Sequence, residues 1–178
     1  MQISPTMIDE VFIMRTEPHA DARGDFARSY CSEEFRAAGI DLDIVQINIS
    51  RNAKRGTLRG MHFQGEPVPD PKLVRCTRGR IFDVALDLRP DSDTFCHSEY
   101  TILSPELQNA IFVPPGCAHG FLTLEDNCEI EYLMGAPYVA DLAHGVRWDD
   151  PAFDIDWPHA PALMSDRDAS YPDFSAEI

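Results

Sequence analysis

Residues 110–123, Ala-Ile-Phe-Val-Pro-Pro-Gly-Cys-Ala-His-Gly-Phe-Leu-Thr, predict two short strands joined by a turn. The segments 110–113 and 118–123 are rich in apolar residues, whereas Pro114-Pro115-Gly116 between them favours a turn. Short strands of this kind recur along the chain at intervals of about ten residues. This spacing is typical of an all-β sandwich or jelly roll.

Outward from this segment, we predict further strands at 11–14, 24–30, 44–51, 59–64, 72–77, 80–88, 99–103 and 128–134. A short helix is expected from Ser32, as its N-cap, to Gly39. The tail from Val146 contains two tryptophans and should pack back over one end of the barrel. No repeat or low-complexity linker divides the 178 residues, so we predict a single domain, 1–178, that is all-β with a few short helices.

The clearest alternation lies in the stretch 44–51. One face of this strand carries Val45, Ile47 and Ile49, and the other carries Gln46, Asn48 and Ser50. If the polar face lines a cavity, Gln46 and Asn48 supply amides for a ligand.

The charge of the chain is strongly acidic, with a formal net charge of -15. Such a charge repels phosphate backbones, so we expect no nucleic-acid partner. Eight of the fifteen cations nevertheless fall within residues 51–80: Arg51, Lys54, Arg55, Arg59, Lys72, Arg75, Arg78 and Arg80. This local concentration indicates a small anionic ligand.

The five cysteines form no Cys-x-x-Cys pair and are odd in number, which argues against a disulfide framework or a zinc site. The start of the sequence lacks the pattern of a signal peptide, and no apolar run reaches the length of a membrane span. We therefore expect a soluble cytoplasmic protein that binds neither membrane nor metal.

Residues 59–64, Arg-Gly-Met-His-Phe-Gln, place a histidine in a short strand between turn-rich segments. Histidine is the commonest proton-transfer residue, although a single one in a strand is more often packed or merely exposed. Arg59 and His62 are three apart, so a regular strand would point them to opposite faces. For both to reach one ligand, the strand must bulge or twist at Gly60, or Arg59 must act from the rim.

Four other residues are candidates, and each has a structural alternative. Asp83 lies within an apolar strand, where a carboxylate needs a partner or an opening onto a cavity, and its structural alternative is an exposed face shared with Asp87. Taken alone, His119 favours capping of the preceding turn, Tyr132 a place in the core, and Lys72 a solvated strand start. The chain contains no His-x-His pair, no Gly-x-Ser-x-Gly elbow and no glycine-rich phosphate loop.

Taken together, these residues resemble the dTDP-4-dehydrorhamnose 3,5-epimerase family of cupin-like enzymes over nearly the whole chain. The similarity is carried by Asp21 to Gly24 with Phe26, Gln46-Ile47-Asn48, Leu58 to Gln64, Lys72 to Arg75, Phe82 to Ala85, Pro114 to Phe121, Tyr132, Tyr138, Trp148 to Pro151, Trp157-Pro158 and Ser165 to Asp168. The resemblance implies a jelly-roll barrel that forms a homodimer, uses no cofactor and acts on a nucleotide-diphosphate-linked 4-keto-6-deoxy sugar.

The resemblance also implies roles for individual residues. His62 would be the base, supported by Asp168, Tyr132 would be the acid, and Lys72 would lie near the 4-keto oxygen. Substrate contacts would come from Arg23, Phe26, Arg28, Gln46, Asn48, Arg59, Asp83, His119, Tyr138 and Arg167. The guanidinium groups suit a diphosphate because their forked donors can meet two oxygens at once.

Arg28 and Ala143 depart from the resemblance, because the dTDP enzymes usually carry glutamates at these positions. The segment 67–71 before Lys72 also differs from the family's usual glycine. A lost carboxylate changes hydrogen bonding to base or sugar. Three alternatives therefore stay open beside the 3,5-epimerase: action at C3 only or ketoisomerisation, a GDP- or CDP-linked 4-keto sugar or heptose as substrate, and a non-catalytic sugar-nucleotide-binding jelly roll.

Overall fold

The computed structural model describes residues 1–175. Short segments in which apolar and polar residues alternate form strands, and the described residues contain thirteen of them. The strands are β1 (Gln2–Pro5), β2 (Phe12–Arg15), β3 (His19–Asp21), β4 (Gly24–Phe26), β5 (Gln46–Asn52), β6 (Leu58–Gln64), β7 (Lys72–Arg78), β8 (Ile81–Asp87), β9 (Ser98–Leu103), β10 (Asn109–Val113), β11 (Cys117–Thr123), β12 (Cys128–Met134) and β13 (Ala143–Gly145). The helices are α1 (Ser32–Ala37), α2 (Asp166–Ala169) and a 3-10 helix (Ala140–Leu142).

The strands form two antiparallel sheets that face each other. One sheet has the order β1-β2-β10-β7-β12-β5 and the other β13-β6-β11-β8-β9, while β3 and β4 form a separate hairpin. The core between the sheets combines Val74, Ile111 and Ile130 of the first sheet with Ala85 and Phe121 of the second, all fully buried. This arrangement confirms the predicted all-β jelly roll with few short helices.

The outer faces of the two sheets are covered differently. The C-terminal tail packs on the outer face of the second sheet, where Val146 and Phe153 join Phe82, Val84 and Leu122 in one apolar cluster. The tail thus covers a sheet face and not, as the sequence predicts, an end of the barrel. The outer face of the first sheet is covered in part by α1.

Two local predictions were wrong in their bounds. The strand predicted at 24–30 ends at Phe26, because the chain turns back to pair β4 with β3. The Tyr30 side chain instead packs against Phe35 of α1 and donates its hydroxyl hydrogen to the Leu42 carbonyl. The helix has Cys31 as its N-cap, without a side-chain cap, and Ser32 is already helical.

Strand β5 shows both faces of the predicted alternation. Asn48 and Ser50 point to the space between the sheets and line a cavity there. Val45, directly before β5, and Ile47 and Ile49 within it point outwards and remain 58%, 58% and 53% exposed. Within residues 1–175 this apolar face is left largely uncovered, and β5 is also an edge strand of its sheet.

The end of β8 is fixed by a buried carboxylate. Asp87 is fully buried and accepts hydrogen bonds from Arg89, Ser92 and Thr94. Burial raises the pKa of this carboxyl, but the donated hydrogen bonds outweigh burial and lower the pKa to about 2. The ionised form of Asp87 therefore stabilises the folded chain.

We expect Asp87→Asn to lower the free energy of unfolding at pH 7 by about 3 kcal/mol, because it leaves Arg89 without its buried partner. The folded pKa of Asp87 is depressed, so its contribution is complete above pH ~4 and is lost as the pH falls towards 2. Urea unfolding at neutral and acidic pH measures how much the free energy of unfolding falls on acidification. This fall, the acid loss, should be about 2 kcal/mol larger for wild type than for the variant. Asp43→Asn, at an exposed ion pair with Arg36, is the control and should change neither quantity. Equal acid loss in wild type and Asp87→Asn would contradict this assignment.

Candidate functional site

A cavity of about 310 Å³ opens between the two sheets. It is lined by Asn48 and Ser50 from β5, Arg59, His62, Phe63 and Gln64 from β6, Lys72 from β7, His119 from β11, Tyr132 and Met134 from β12, Ala143 and His144 from β13, and Asp70, Tyr138 and Arg167 from the connecting segments and α2. Many of these side chains can donate or accept protons, and three are cations.

His62 is held by a carboxylate from the C-terminal end of the chain. Its Nε2 lies 2.8 Å from Oδ1 of Asp168, and the other carboxylate oxygen accepts the Gly60 N–H at 3.3 Å. Burial raises the pKa of the Asp168 carboxyl, but the hydrogen bonds from His62 and Gly60 outweigh it, so the pKa lies below its ordinary value. An ionised carboxylate only accepts hydrogen bonds, so Nε2 carries the hydrogen and Nδ1 of His62 is free to take up a proton.

Asp168 itself is placed by the start of α2. Ser165 is the N-cap of this helix, and its hydroxyl oxygen accepts the Asp168 N–H at 3.1 Å. The Asp168 side chain is almost completely buried behind His62, whose own side chain is 43% exposed towards the cavity. The pair thus presents a supported base to the cavity.

Tyr132 lies across from a second buried pair. Nε2 of His119 lies 3.0 Å from both carboxylate oxygens of Asp83, which is completely buried, and the His119 ring meets the Tyr132 ring edge-on at 5.7 Å. Burial, together with the charge of Asp83, raises the pKa of the Tyr132 phenol far above its ordinary value. The phenol therefore carries its hydrogen at neutral pH and has a proton to donate.

Arg59 and His62 both line the cavity although they are three residues apart. The pairing of β6 with β11 shifts register between His119 and Phe121, and Gly60 has a φ of +131°. A Cβ at Gly60 would lie 2.6 Å from the Gly120 Cα, so only glycine allows this close approach. The predicted irregularity at Gly60 is confirmed.

The predicted ligand-contacting residues are only partly brought together. Asn48, Arg59, His119, Tyr138 and Arg167 line the cavity, as do His62, Lys72 and Tyr132. Gln46 sits at its edge, where it donates to Asn48 and accepts the Tyr138 N–H, and Asp83 and Asp168 lie behind the two histidines.

Three predicted residues lie outside the cavity of this chain. Arg23 and Phe26 are on the exposed β3–β4 hairpin, where Arg23 pairs with Asp21. Arg28 follows the hairpin and pairs with Glu34 of α1. Their distance from the cavity follows from the early end of β4, after which the chain turns towards α1.

Asp70 is a cavity residue that the sequence reasoning did not single out. Its carboxylate lies 2.8 Å from Nζ of Lys72. A signal was present, because residues two apart in an extended segment share a face, and the prolines at 69 and 71 favour an extended chain.

The described residues, 1–175, contain neither a cluster of metal ligands nor a membrane-spanning helix. No group of three or more His, Cys, Asp or Glu residues in this range is arranged to hold a metal ion. None of the helices described has the length and apolar character required to cross a membrane.

Comparison with known proteins identifies the family. The model of the dTDP-4-dehydrorhamnose 3,5-epimerase family matches residues 5–176. The chain belongs to this family. A dTDP-4-dehydrorhamnose 3,5-epimerase from Sinorhizobium fredii is 42% identical over 173 residues, which cover 97% of this chain and 89% of the relative.

Two further members of the epimerase family show its range. A crystal structure of a dTDP-4-dehydrorhamnose 3,5-epimerase from Bacillus anthracis, with TDP and PPi bound, superposes with a TM-score of 0.93 at 36% identity and covers 97% of this chain and 99% of that one. A dTDP-4-dehydrorhamnose 3-epimerase from Streptomyces niveus is 37% identical over 169 residues, 94% of this chain and 81% of the relative. The family thus includes enzymes named for both positions and for C3 alone.

Proposed function

We propose that this chain, as a single domain of residues 1–178, is a cofactor-independent epimerase that acts at C3 and C5 of dTDP-4-dehydro-6-deoxyglucose. The observation that carries the proposal is the meeting of a carboxylate-supported base, His62, and a protonated phenol, Tyr132, in one cavity. Family membership and the dTDP sugars named for its relatives support the same substrate class.

The proposed reaction needs only proton transfers. The 4-ketone acidifies the C–H bonds at C3 and C5, so Nδ1 of His62 removes a proton and the electron pair moves into an enolate. The Lys72 ammonium stabilises the negative charge that develops on the former ketone oxygen. The Tyr132 phenol then gives its proton to the opposite face of the same carbon, which inverts its configuration. His62 releases its proton to solvent and Tyr132 takes one up from solvent, so both residues return to their starting forms.

The remaining cavity residues suit the nucleotide. Arg59 and Arg167 supply guanidinium donors for the diphosphate, and Asn48 supplies an amide. Tyr138 is 63% exposed at the mouth of the cavity and offers an aromatic face for the thymine ring. Asp83 acts through His119 in this proposal, because its carboxylate is buried behind that ring.

We place the enzyme in the cytoplasm, which suits the five cysteines, all of them free thiols.

We also propose a homodimer. A second copy can cover two exposed apolar surfaces: the outward face of β5, Ile47 and Ile49 together with the preceding Val45, and the ring of Phe26. In such a dimer, Arg23 and Phe26 are free to enter the partner's cavity, which accounts for their absence from the cavity of their own chain.

We expect Ile47→Asp to convert the dimer to a monomer, because it places a charge in an apolar interface. Sedimentation equilibrium should give the mass of a dimer for wild type and about 20 kDa, that of one chain, for the variant. Met7→Asp is the matched control, since Met7 is 77% exposed on another part of the surface. A monomeric wild type, or a variant that stays dimeric, would contradict the proposed interface.

The function is tested by the product that wild-type protein forms from dTDP-4-dehydro-6-deoxyglucose. Reduction of the ketone after incubation, followed by analysis of the sugar, should show inverted configuration at both C3 and C5. Recovery of unchanged sugar, with tight dTDP binding, would instead indicate a non-catalytic binder.

A second candidate is epimerisation at C3 alone, and the Streptomyces niveus relative, named a 3-epimerase, favours it. The same product analysis distinguishes it, since only C3 would then be inverted.

The choice of nucleotide is tested by thermal shift with dTDP, GDP, CDP and UDP. A ligand at a hundred times its Kd stabilises the protein by about 2.7 kcal/mol. The largest shift should come from dTDP, and a larger shift with GDP or CDP would overturn that choice despite the family name.

A further inference from the structure

The loop between β6 and β7 brings a carboxylate to the proposed reaction centre. Oδ2 of Asp70 lies 2.8 Å from Nζ of Lys72, and Oδ1 accepts the Gln64 N–H at 2.9 Å. Both Asp70 and Lys72 line the cavity, and their side chains are only 14% and 6% exposed. The loop contains residues 67–71, which are, with Arg28 and Ala143, one of the places where the sequence departs from the family resemblance.

A buried ammonium requires a counter-charge. Removing a charge from water costs several kcal/mol, which only a close partner of opposite charge can offset. Within residues 1–175, Lys72 forms an ion pair with Asp70. An ammonium has three N–H donors, so this pair occupies one and leaves two for groups inside the cavity.

We propose that Asp70 is a positioning residue that holds the Lys72 side chain in place and directs its free donors to the ketone oxygen of the substrate. The proposal rests on the proposed function, in which Lys72 stabilises the enolate. Asp70 acts through Lys72 and takes no proton from the sugar. The two flanking prolines hold the loop extended, which limits the positions open to the carboxylate.

A purely structural role offers the competing explanation. Asp70 also accepts the Gln64 N–H, so its replacement could disturb the end of β6 and reach His62 by that path. Asp70→Asn separates the two roles, since asparagine keeps an oxygen for Gln64 but removes the charge beside Lys72.

The first experiment needs no activity, because the chain contains only two lysines, Lys54 and Lys72. In protein labelled with ¹⁵N-lysine, a buried and hydrogen-bonded ammonium exchanges its protons slowly and gives an observable Nζ–H signal. We expect this signal from Lys72 in wild type and its loss in Asp70→Asn and not in the control Asp149→Asn, which alters an ion pair in the tail. An unchanged Lys72 signal in Asp70→Asn would overturn the proposed positioning.

The second experiment is a double-mutant cycle on deuterium exchange with Asp70→Asn, Lys72→Met and both together. Asp70→Asn should lower kcat about 100-fold without changing the Kd for dTDP, because it displaces the ammonium. It should cause no further loss in the Lys72→Met background. If Asp70→Asn lowered kcat by the same factor in the Lys72→Met background, Asp70 would act through the fold, and the inference would be overturned. If wild type showed no deuterium exchange, the proposed function would be refuted. The Nζ–H signal of Lys72 would still show whether Asp70 positions this lysine.

Discussion

His62→Ala should lower the rate of solvent deuterium exchange into the substrate by about 10³-fold or more, since a positioned base contributes up to ~10⁴. Exchange at C3 and at C5 should fall together, because the proposed mechanism assigns both protons to one base, His62, which pairs with the Asp168 carboxylate. NMR of dTDP-4-dehydro-6-deoxyglucose in D2O measures both rates.

Asp168→Asn should have a smaller effect in the same assay, because it leaves the imidazole in place but removes the charge that fixes its tautomer. The control is His97→Ala, which removes an exposed histidine from the turn before β9. Unimpaired dTDP binding in His62→Ala would show that the cavity is intact. Exchange at the wild-type rate in that variant would rule out His62 as the base.

Tyr132→Phe should separate the two halves of the reaction. The variant keeps the ring that packs against His119 but lacks the phenol hydrogen. Formation of inverted product should fall by about 10²-fold or more. His62 should still remove a substrate proton and return a deuteron to the same face, so deuterium exchange without inversion should continue. The ratio of exchange to inversion should therefore rise.

Product analysis and deuterium exchange, run on one sample, provide this ratio. Tyr100→Phe is the matched control, because its ring stacks on Phe82 at the surface. If exchange and inversion fell by the same factor in Tyr132→Phe, the tyrosine would act before or during proton removal. An unchanged rate of inversion would exclude it as the acid.

Much of the fold follows from local patterns in the sequence. The alternation in β5 depends on neighbouring residues only, so it correctly separated Asn48 and Ser50 on the cavity face from Ile47 and Ile49 on the outer face. The irregularity at Gly60 was likewise predictable, because two residues three apart had to reach one cavity.

Other features depend on contacts between distant segments and could not be predicted from local patterns. The early end of β4 is set by its pairing with β3, and the alternation of Phe26, Arg28 and Tyr30 carries no sign of that hairpin. The burial of Asp83 behind His119 depends on the register of β8 against β11. Family resemblance supplied the functional names of these residues, but only the three-dimensional arrangement separates cavity residues from those behind them.

The most direct test of the central claim, that His62 is the base of a cofactor-independent epimerase, compares two samples. Wild type and His62→Ala are each incubated in D2O with dTDP-4-dehydro-6-deoxyglucose, and the C3 and C5 proton signals are followed by NMR. We predict that both signals disappear with wild type and persist with His62→Ala. Persistence of both signals with wild type, or their equal loss in the two samples, would contradict it.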